Sequence, residues 1–165
     1  MNMLNLLRLC LLPLAVVFMQ CAATRDLRMS ENNAETIRIW FEEGWNKHRN
    51  LELIERCFSA EWTDGNPLRY DQIDGHEGIR QMVAFYEQSF ADTHFKITHV
   101  FADKKYAAVR YEVTGKHVGE AFGVPGSGRL FSATGINVYE MEKGKIVRTW
   151  QELDLMAIIR QISQQ

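Results

Sequence analysis

Apolar residues follow two different periods along this chain, one before residue 90 and one after it. From about Asn33 to Arg49 they recur at intervals of three and four, which predicts an amphipathic helix. The same spacing predicts a shorter helix from Leu51 to Phe58 and a third helix from His76 to Phe90. Glu61 to Asp64 is typical of a short strand, and Gly65-Asn66-Pro67 ends it as a turn.

After residue 90, apolar and polar residues alternate, which is the period of a β-strand. Turn-forming residues divide this part into predicted strands at Phe95 to Ala102, Tyr106 to Val118, Arg129 to Met141, and Lys145 to Leu153. A helical apolar run begins at Leu155, directly after the last strand. Three helices, an antiparallel sheet and a short C-terminal helix together predict an α+β fold in one domain.

The N-terminal segment has the pattern of a leader. Arg8 precedes an apolar run from Leu9 to Met19, and small residues follow at Ala22-Ala23, which is the order found in signal peptides. The run is shorter than the roughly 20 apolar residues of a transmembrane helix. We therefore assign residues 1–28 to a signal peptide or lipoprotein leader and residues 29–165 to the folded domain.

Two locations are compatible with this segment. A leader makes the protein exported or envelope-associated, with a membrane tether through the N-terminal segment if Cys21 carries a lipid. However, Met29-Ser30-Glu31 also has the composition of an ordinary start of translation. A chain that begins at Met29 would be cytoplasmic, and the sequence leaves both possibilities open.

The composition of the chain excludes several classes of function. Charged residues make up 24% of the chain, the net charge is −2, and acids and bases are interspersed, so no nucleic-acid-binding surface is predicted. Cys10 and Cys21 lie in the leader and Cys57 lies in the domain, which excludes a disulfide framework. The five histidines show no metal-binding spacing. We therefore predict no metal site.

Alternation along the strand Tyr106 to Val118 separates its side chains into two faces. The apolar face contains Tyr111 and ends at His117, so we expect both side chains to point inward. An inward histidine at the end of a strand is either a satisfied structural residue or a proton donor at the rim of a pocket. The pattern leaves both roles open.

The strand Arg129 to Met141 mixes apolar and polar residues on both faces. One face carries Phe131, Ala133, Asn137 and Tyr139. Polar groups on a buried face need hydrogen-bond partners or a wet cavity. The mixture therefore fits a sheet that wraps around a pocket.

Asp154 stands where the last strand meets the last helix. It is in phase with Trp150 if the strand stays regular, and a carboxylate beside an indole in a poorly hydrated pocket has a raised pKa. A general base for a carbon acid requires such a pKa. Alternatively, the carboxylate caps the helix, a contact worth about 1 kcal/mol. The strand pattern alone favours the cap.

Several segments occur in the order seen in SnoaL-like polyketide cyclases, which are also called ester cyclases. They are Trp45-Asn46, Phe90-Ala91-Asp92, Gly115-Lys116-His117-Val118-Gly119 with the loop through Phe122 to Arg129, and Gly144-Lys145-Ile146 with Trp150, Asp154 and Gln161. Together they span almost all of residues 34–162. The chain therefore resembles this family over its whole domain.

The resemblance implies a cone-shaped fold like that of nuclear transport factor 2, in which a curved antiparallel sheet and three helices enclose an apolar cavity. It places the acid/base aspartate of the family at Asp154 and the pocket histidine at His117. We expect the cavity wall to contain residues from the helices, the loops and the sheet, namely Trp45, Trp62, Tyr111, Phe122, Asn137 and Trp150.

Enzymes of this family close the last ring of aromatic polyketides by an intramolecular aldol condensation without a cofactor. The resemblance thus predicts a cofactor-independent cyclase, or a related carbon-acid enzyme, acting on a small hydrophobic carbonyl compound. In that hypothesis Asp154 removes a proton alpha to a carbonyl and His117 stabilises the enolate oxygen.

The alternative is a non-catalytic ligand-binding or dimerisation module of the same fold at the cell envelope. A leader favours this alternative, because the substrates of polyketide cyclases are made in the cytosol. By analogy with similar sheets, we expect a homodimer in either case.

Overall fold

The computed structural model describes residues 24–68 and 71–163 of the protein. The first helix, α1, covers residues 24–38 and continues as a π-helix over Ile39–Trp45. The other helices are α2 Asn50–Cys57, α3 Gly75–Ser89 and α4 Leu155–Ile162. The strands are β1 Phe58–Asp64, β2 Phe90–Ala102, β3 Tyr106–His117, β4 Leu130–Glu142 and β5 Lys145–Leu153.

Each predicted helix and strand is present, with shifts at the ends. The largest strand shift is in β2, which starts at Phe90 rather than at Phe95. Asp92 has a φ of 52°, and the register shifts between Ala91 and His94. This irregularity lets the strand bend while it stays paired with β3.

The first helix extends into the segment that the sequence assigns to the leader. Residues 24–28 are helical, and the Asp26 carboxylate lies 3.0 Å from Lys104 Nζ. Most of the predicted leader, with Cys10 and Cys21, lies outside the described residues, so the leader stays a prediction. Within the two described ranges, no helix is long and apolar enough to cross a membrane.

The strands form one sheet in the order β1-β5-β4-β3-β2. The strands β2 to β5 pair antiparallel, as predicted, whereas β1 pairs parallel with β5. Parallel neighbours require a long connection, and here α3 and the three strands β2 to β4 lie between them in sequence. The sheet is therefore mixed, and the predicted α+β cone is confirmed.

The helices α1 to α3 bury an aromatic core against the sheet. Phe41 in the π-helical part of α1 packs its ring 5.4 Å from that of Phe95 and 5.2 Å from that of Tyr111. Trp40 packs 4.7 Å from Phe58 at the start of β1. Ring pairs at these distances stabilise the fold beyond the area that they bury.

A bulge in β5 changes which of its side chains face this core. The register with β4 shifts between Glu140 and Met141, which leaves Val147 as an extra residue on β5. Alternation resumes one position out of phase. Gln151 therefore faces the core, and Trp150 faces the other side.

Three side-chain amides complete backbone pairing where the sheet has no neighbouring strand. In each case the side chain accepts from the N–H and donates to the C=O of one strand residue. The pairs are Asn46 with Phe95 (2.7 and 2.8 Å), Asn66 with Gln151 (2.8 and 2.9 Å), and Gln161 with Ser132 (3.0 and 2.8 Å). Unpaired strand edges would otherwise expose these backbone groups. Asn46 and Gln161, two residues of the family resemblance, thus have a structural role.

Candidate functional site

An apolar cavity lies between the inner face of the sheet and the helices. Within it, about 60 Å³ is open to the centre of a sphere of water size, several times the roughly 10–15 Å³ that one water needs on this measure. Its wall is mostly aromatic and aliphatic, and its polar residues are Asp64, Thr93, Asn137, Thr149 and Gln151, besides the tyrosines. Such a wall suits a largely apolar ligand that is oriented by a few polar groups.

Most of the residues expected at the cavity wall line it. They are Trp45, Trp62, Tyr111, Phe122 and Asn137. Trp62 is held by a hydrogen bond of 2.9 Å from its Nε1 to Thr149 Oγ1. Phe122 lies in the loop between β3 and β4 and has a φ of 55°. Its ring packs on that of Phe85 in α3.

Trp150 lies outside the cavity wall, which differs from the expectation. The bulge at Val147 turns it to the other face of the sheet. There the indole fills the space beside Gly65, where a Cβ would collide with its ring. The Arg148 guanidinium lies 5.7 Å from the centre of the same ring. Trp150 therefore covers the turn after β1.

Hydroxyl and amide groups form a continuous hydrogen-bonded chain in the cavity wall. Gln151 Nε2 donates to the Tyr111 hydroxyl over 3.4 Å, and that hydroxyl donates to Asn137 Oδ1 over 3.2 Å. Asn137 Nδ2 then donates to the Tyr139 hydroxyl over 2.8 Å. The Gln151 amide also lies close enough to the Tyr86 hydroxyl to lower the pKa of that phenol. We call these five residues the polar chain.

The phenols of the polar chain are uncharged at neutral pH. Burial raises the pKa of Tyr86 to about 12, partly offset by the hydrogen bond from Gln151. Burial also raises the pKa of Tyr111 and that of Tyr139. A phenol that stays protonated can donate a hydrogen bond to a ligand.

Asp64, the last residue of β1, brings a carboxylate to this cavity. Its Oδ1 accepts from the backbone N–H of Asn66 over 3.0 Å, and its Oδ2 accepts from Gln72 Nε2 over 2.8 Å. Burial raises the pKa of Asp64; the hydrogen bonds from Asn66 and Gln72 lower it in part, and the charge of Asp74 raises it further. Among the described residues of the wall, no other side chain carries a charge at neutral pH.

The structure places Asp154 at the cap position that the strand pattern favoured. Its Oδ1 accepts from the backbone N–H of Ala157 over 2.9 Å at the start of α4. Its own N–H donates to the Thr134 carbonyl of β4 over 3.0 Å. Asp154 is exposed and is not part of the cavity wall. In this conformation its carboxylate stabilises the helix and does not reach the cavity.

His117 points inward, as expected from alternation, and is fully buried. Its Nδ1 accepts from the backbone N–H of Ser127 over 3.3 Å and lies 3.0 Å from Ser127 Oγ. Because Nδ1 accepts, the ring carries a proton on Nε2, which has no hydrogen-bond partner among the described residues. The ring packs 5.7 Å from that of Phe90, behind the cavity wall. His117 thus ties the loop after β3 to the sheet.

Three residues of the site were not predicted from the sequence to belong to it. Asp64 is two residues after Trp62 in β1, so alternation places it on the same side. Tyr86 is four residues after Met82, another wall residue, and shares its side of α3. Gln151 gives no such signal, because the bulge that turns it inward is not visible in the pattern of apolar residues.

The donor set of the cavity suits proton transfer better than metal binding. Within residues 24–68 and 71–163, no group of three or more His, Cys, Asp or Glu side chains is placed to hold a metal ion. The cavity combines one carboxylate of raised pKa with several neutral hydrogen-bond donors. This combination can accept a proton from a ligand and stabilise the oxygen on which negative charge develops.

The sequence matches the family model of SnoaL-like polyketide cyclases over residues 35–162. The protein therefore belongs to the SnoaL-like polyketide cyclase family. No curated protein matches the chain.

Solved structures agree with this assignment at the level of the fold. TsrD from Streptomyces laurentii is 25% identical with a TM-score of 0.68, over 81% of this chain and 93% of that one. A SnoaL-like polyketide cyclase from Agrobacterium tumefaciens strain C58 is 22% identical with a TM-score of 0.65, over 79% and 98% of the two chains. IdmH from Streptomyces antibioticus is 22% identical with a TM-score of 0.66, over 80% and 99%.

Proposed function

We propose that the protein catalyses a cofactor-independent carbon-acid reaction on a small hydrophobic carbonyl compound. An intramolecular aldol cyclisation is the form of this reaction that the family suggests. The observation that carries the proposal is the position of Asp64, a half-buried carboxylate in the wall of an otherwise uncharged cavity.

In this proposal Asp64 is the general base. Burial raises its pKa, which makes it a stronger base than an ordinary aspartate. It takes a proton from the carbon alpha to a carbonyl, and the enolate carbon then bonds to a second carbonyl carbon of the same molecule. The second carbonyl becomes an alkoxide, and Asp64 returns the proton to it.

The proposal moves the base from Asp154, which the resemblance suggested, to Asp64. Asp154 would have to leave Ala157 and turn from an exposed position to reach the cavity. His117 would have to act through the ring of Phe90, because its own ring is not part of the wall. We therefore give His117 a supporting role in holding the loop that carries Phe122.

A non-catalytic ligand-binding module is the second candidate. The capping role of Asp154 favours it, because it removes the residue that the resemblance offers as catalyst. In such a module the same cavity would hold a hydrophobic ligand without changing it. A homodimer and an N-terminal membrane tether are compatible with both candidates and stay predictions.

Deuterium exchange separates the two candidates without knowledge of the natural substrate. Acetophenone and 1-tetralone are small aryl ketones with hydrogens alpha to the carbonyl, and binding is measured first by the shift in melting temperature. In heavy water, a carbon-acid enzyme incorporates deuterium at the alpha carbon of the bound ketone. Bound ketones that exchange no faster than in buffer would support the module and contradict the enzyme. Failure of both ketones to bind would also contradict the enzyme.

A further inference from the structure

The donor and acceptor atoms of the polar chain fix the direction of most of its hydrogen bonds. Gln151 donates to the Tyr111 hydroxyl, and the proton of Tyr111 is used in the bond to Asn137 Oδ1. The Asn137 amide in turn donates to Tyr139. Tyr111 is therefore both an acceptor and a donor within the chain, and its hydroxyl proton is already engaged.

Tyr86 occupies a different position, at the end of the polar chain. Its side chain comes from α3 and lines the cavity, and its hydroxyl interacts with the Gln151 amide. A hydroxyl that accepts a hydrogen bond from an amide keeps its own proton for donation. Acceptance of that bond also makes the O–H a better donor, because hydrogen bonds in a chain polarise one another.

Tyr86 and Asp64 are near enough for the charge of Asp64 to disfavour ionisation of the phenol. Both residues line the same cavity. A carbonyl compound bound there can direct its oxygen to the Tyr86 hydroxyl and its alpha carbon to the Asp64 carboxylate. The two side chains can thus supply a hydrogen-bond donor and a base to the two atoms that flank one carbonyl carbon.

The charge of the wall opposes anionic ligands. Asp64 repels a carboxylate, and the described wall offers no cationic side chain to pair with one. Removal of a carboxylate from water into a wall of aromatic rings is costly unless it is well paired.

We propose that Tyr86, positioned by Gln151, donates a hydrogen bond to the carbonyl oxygen of the ligand, and that the site selects uncharged ketones over carboxylates of the same shape. This inference rests on the proposed function, since it assigns the oxygen-binding half of that site. In the reaction, the bond would strengthen as the carbonyl oxygen becomes an enolate.

Infrared spectroscopy of bound acetophenone tests the bond to Tyr86 directly. A hydrogen bond to the carbonyl lowers its stretching frequency relative to that in an apolar solvent. We expect the lowered band with the wild-type protein, and a return towards the solvent value in Tyr86→Phe together with about fivefold weaker binding, since a neutral hydrogen bond is lost. Tyr106→Phe is the matched control, because Tyr106 lies at the start of β3 and outside the cavity wall.

Gln151→Leu is the second variant, which keeps the test valid if Tyr86→Phe does not fold. It leaves the Tyr86 hydroxyl in place without the amide that positions it. We expect a band that is broader and less shifted than in the wild type. An unchanged band in the folded Tyr86→Phe protein, or in Gln151→Leu if only that variant folds, would overturn the role of Tyr86.

Selectivity is measured by competition between acetophenone and benzoate, which share a phenyl ring. We expect acetophenone to bind at least about tenfold more tightly than benzoate. Binding of benzoate that is as tight as that of acetophenone, or tighter, would overturn the selection of uncharged ligands.

The same samples separate this inference from the proposed function. A lowered carbonyl band without deuterium exchange would support the role of Tyr86 in binding the carbonyl oxygen and contradict the proposed enzyme activity. Deuterium exchange with an unchanged band in Tyr86→Phe would support the enzyme activity and contradict the role of Tyr86.

Discussion

Gln72 donates its side-chain amide to the carboxylate of Asp64 over 2.8 Å, and this bond orients the carboxylate at the edge of the cavity. A hydrogen bond to the ionised form lowers a carboxyl pKa, whereas burial raises it. Both influences act on Asp64, and burial is the larger. Asp64 is thus a poorly solvated carboxylate of raised pKa, which is what a general base needs.

Removal of the Gln72 amide should shift the pH dependence of exchange. The base must be deprotonated, so the rate of deuterium incorporation rises as the pH rises through the pKa of Asp64. Gln72→Leu removes a group that stabilises the charged form, so the rise should move to higher pH. The pH profile of the exchange rate measures this shift, with Gln81→Leu on the exposed side of α3 as the matched control. A profile that stays in place or moves to lower pH would contradict the assignment of Asp64.

Loss of the Asp154 cap should lower the stability of the protein without changing the rate of deuterium exchange into the bound ketone. Asp154→Ala removes the bond to the Ala157 N–H, which should lower the free energy of unfolding by about 1 kcal/mol. Asp154→Ser can still cap the helix and should recover most of that stability. Urea unfolding measures both variants. If Asp154→Ala and Asp154→Ser were both as stable as the wild type, the cap would have no energetic role.

Gln161 should stabilise the part of β4 that has no pairing with β5. Its amide makes bonds of 3.0 and 2.8 Å to the N–H and C=O of Ser132, and Gln161→Leu should cost about 1–3 kcal/mol because both backbone groups lose their partner. Hydrogen exchange at the Ser132 N–H should accelerate more than exchange within the β3 pairing. Gln81→Leu again serves as the control for the change in side-chain type. Unaltered protection of Ser132 would exclude this role.

Gly135 should be required for the position of Tyr111. The two residues are paired across β3 and β4, and a Cβ at residue 135 would collide with the phenol ring. Gly135→Ala should therefore destabilise the protein by about 1–3 kcal/mol, as overpacking does. The double variant with Tyr111→Leu should cost less than the sum of the single variants, because the shorter side chain removes the collision. Additive costs would show that the contact is relieved elsewhere.

The sequence was sufficient for the elements and for most of the cavity wall, because burial there follows the ordinary helix and strand periods. Trp45 and Tyr111 lie on the apolar stripe of a helix and the apolar face of a strand, and both line the cavity. The family resemblance added the cone-shaped fold, which periodicity alone does not specify. These expectations needed only regular geometry.

The sequence was insufficient where the geometry is irregular. One extra residue at Val147 reverses the faces of β5, so Trp150 leaves the cavity wall and Gln151 enters it. The parallel pairing of β1 with β5 joins distant segments and brings Asp64 to the cavity. Bulges and long-range pairing depend on the whole fold, and no local pattern reports them.

Comparison of Asp64→Asn with Asp154→Asn in the deuterium exchange assay tests the central claim most directly. Both changes remove one carboxylate and keep its shape, and circular dichroism confirms that each variant is folded. We predict that Asp64→Asn loses at least about a hundredfold in the exchange rate of the bound ketone, as expected for a general base, while Asp154→Asn keeps the wild-type rate. A hundredfold loss in Asp154→Asn with little change in Asp64→Asn would contradict the account and return the base to Asp154.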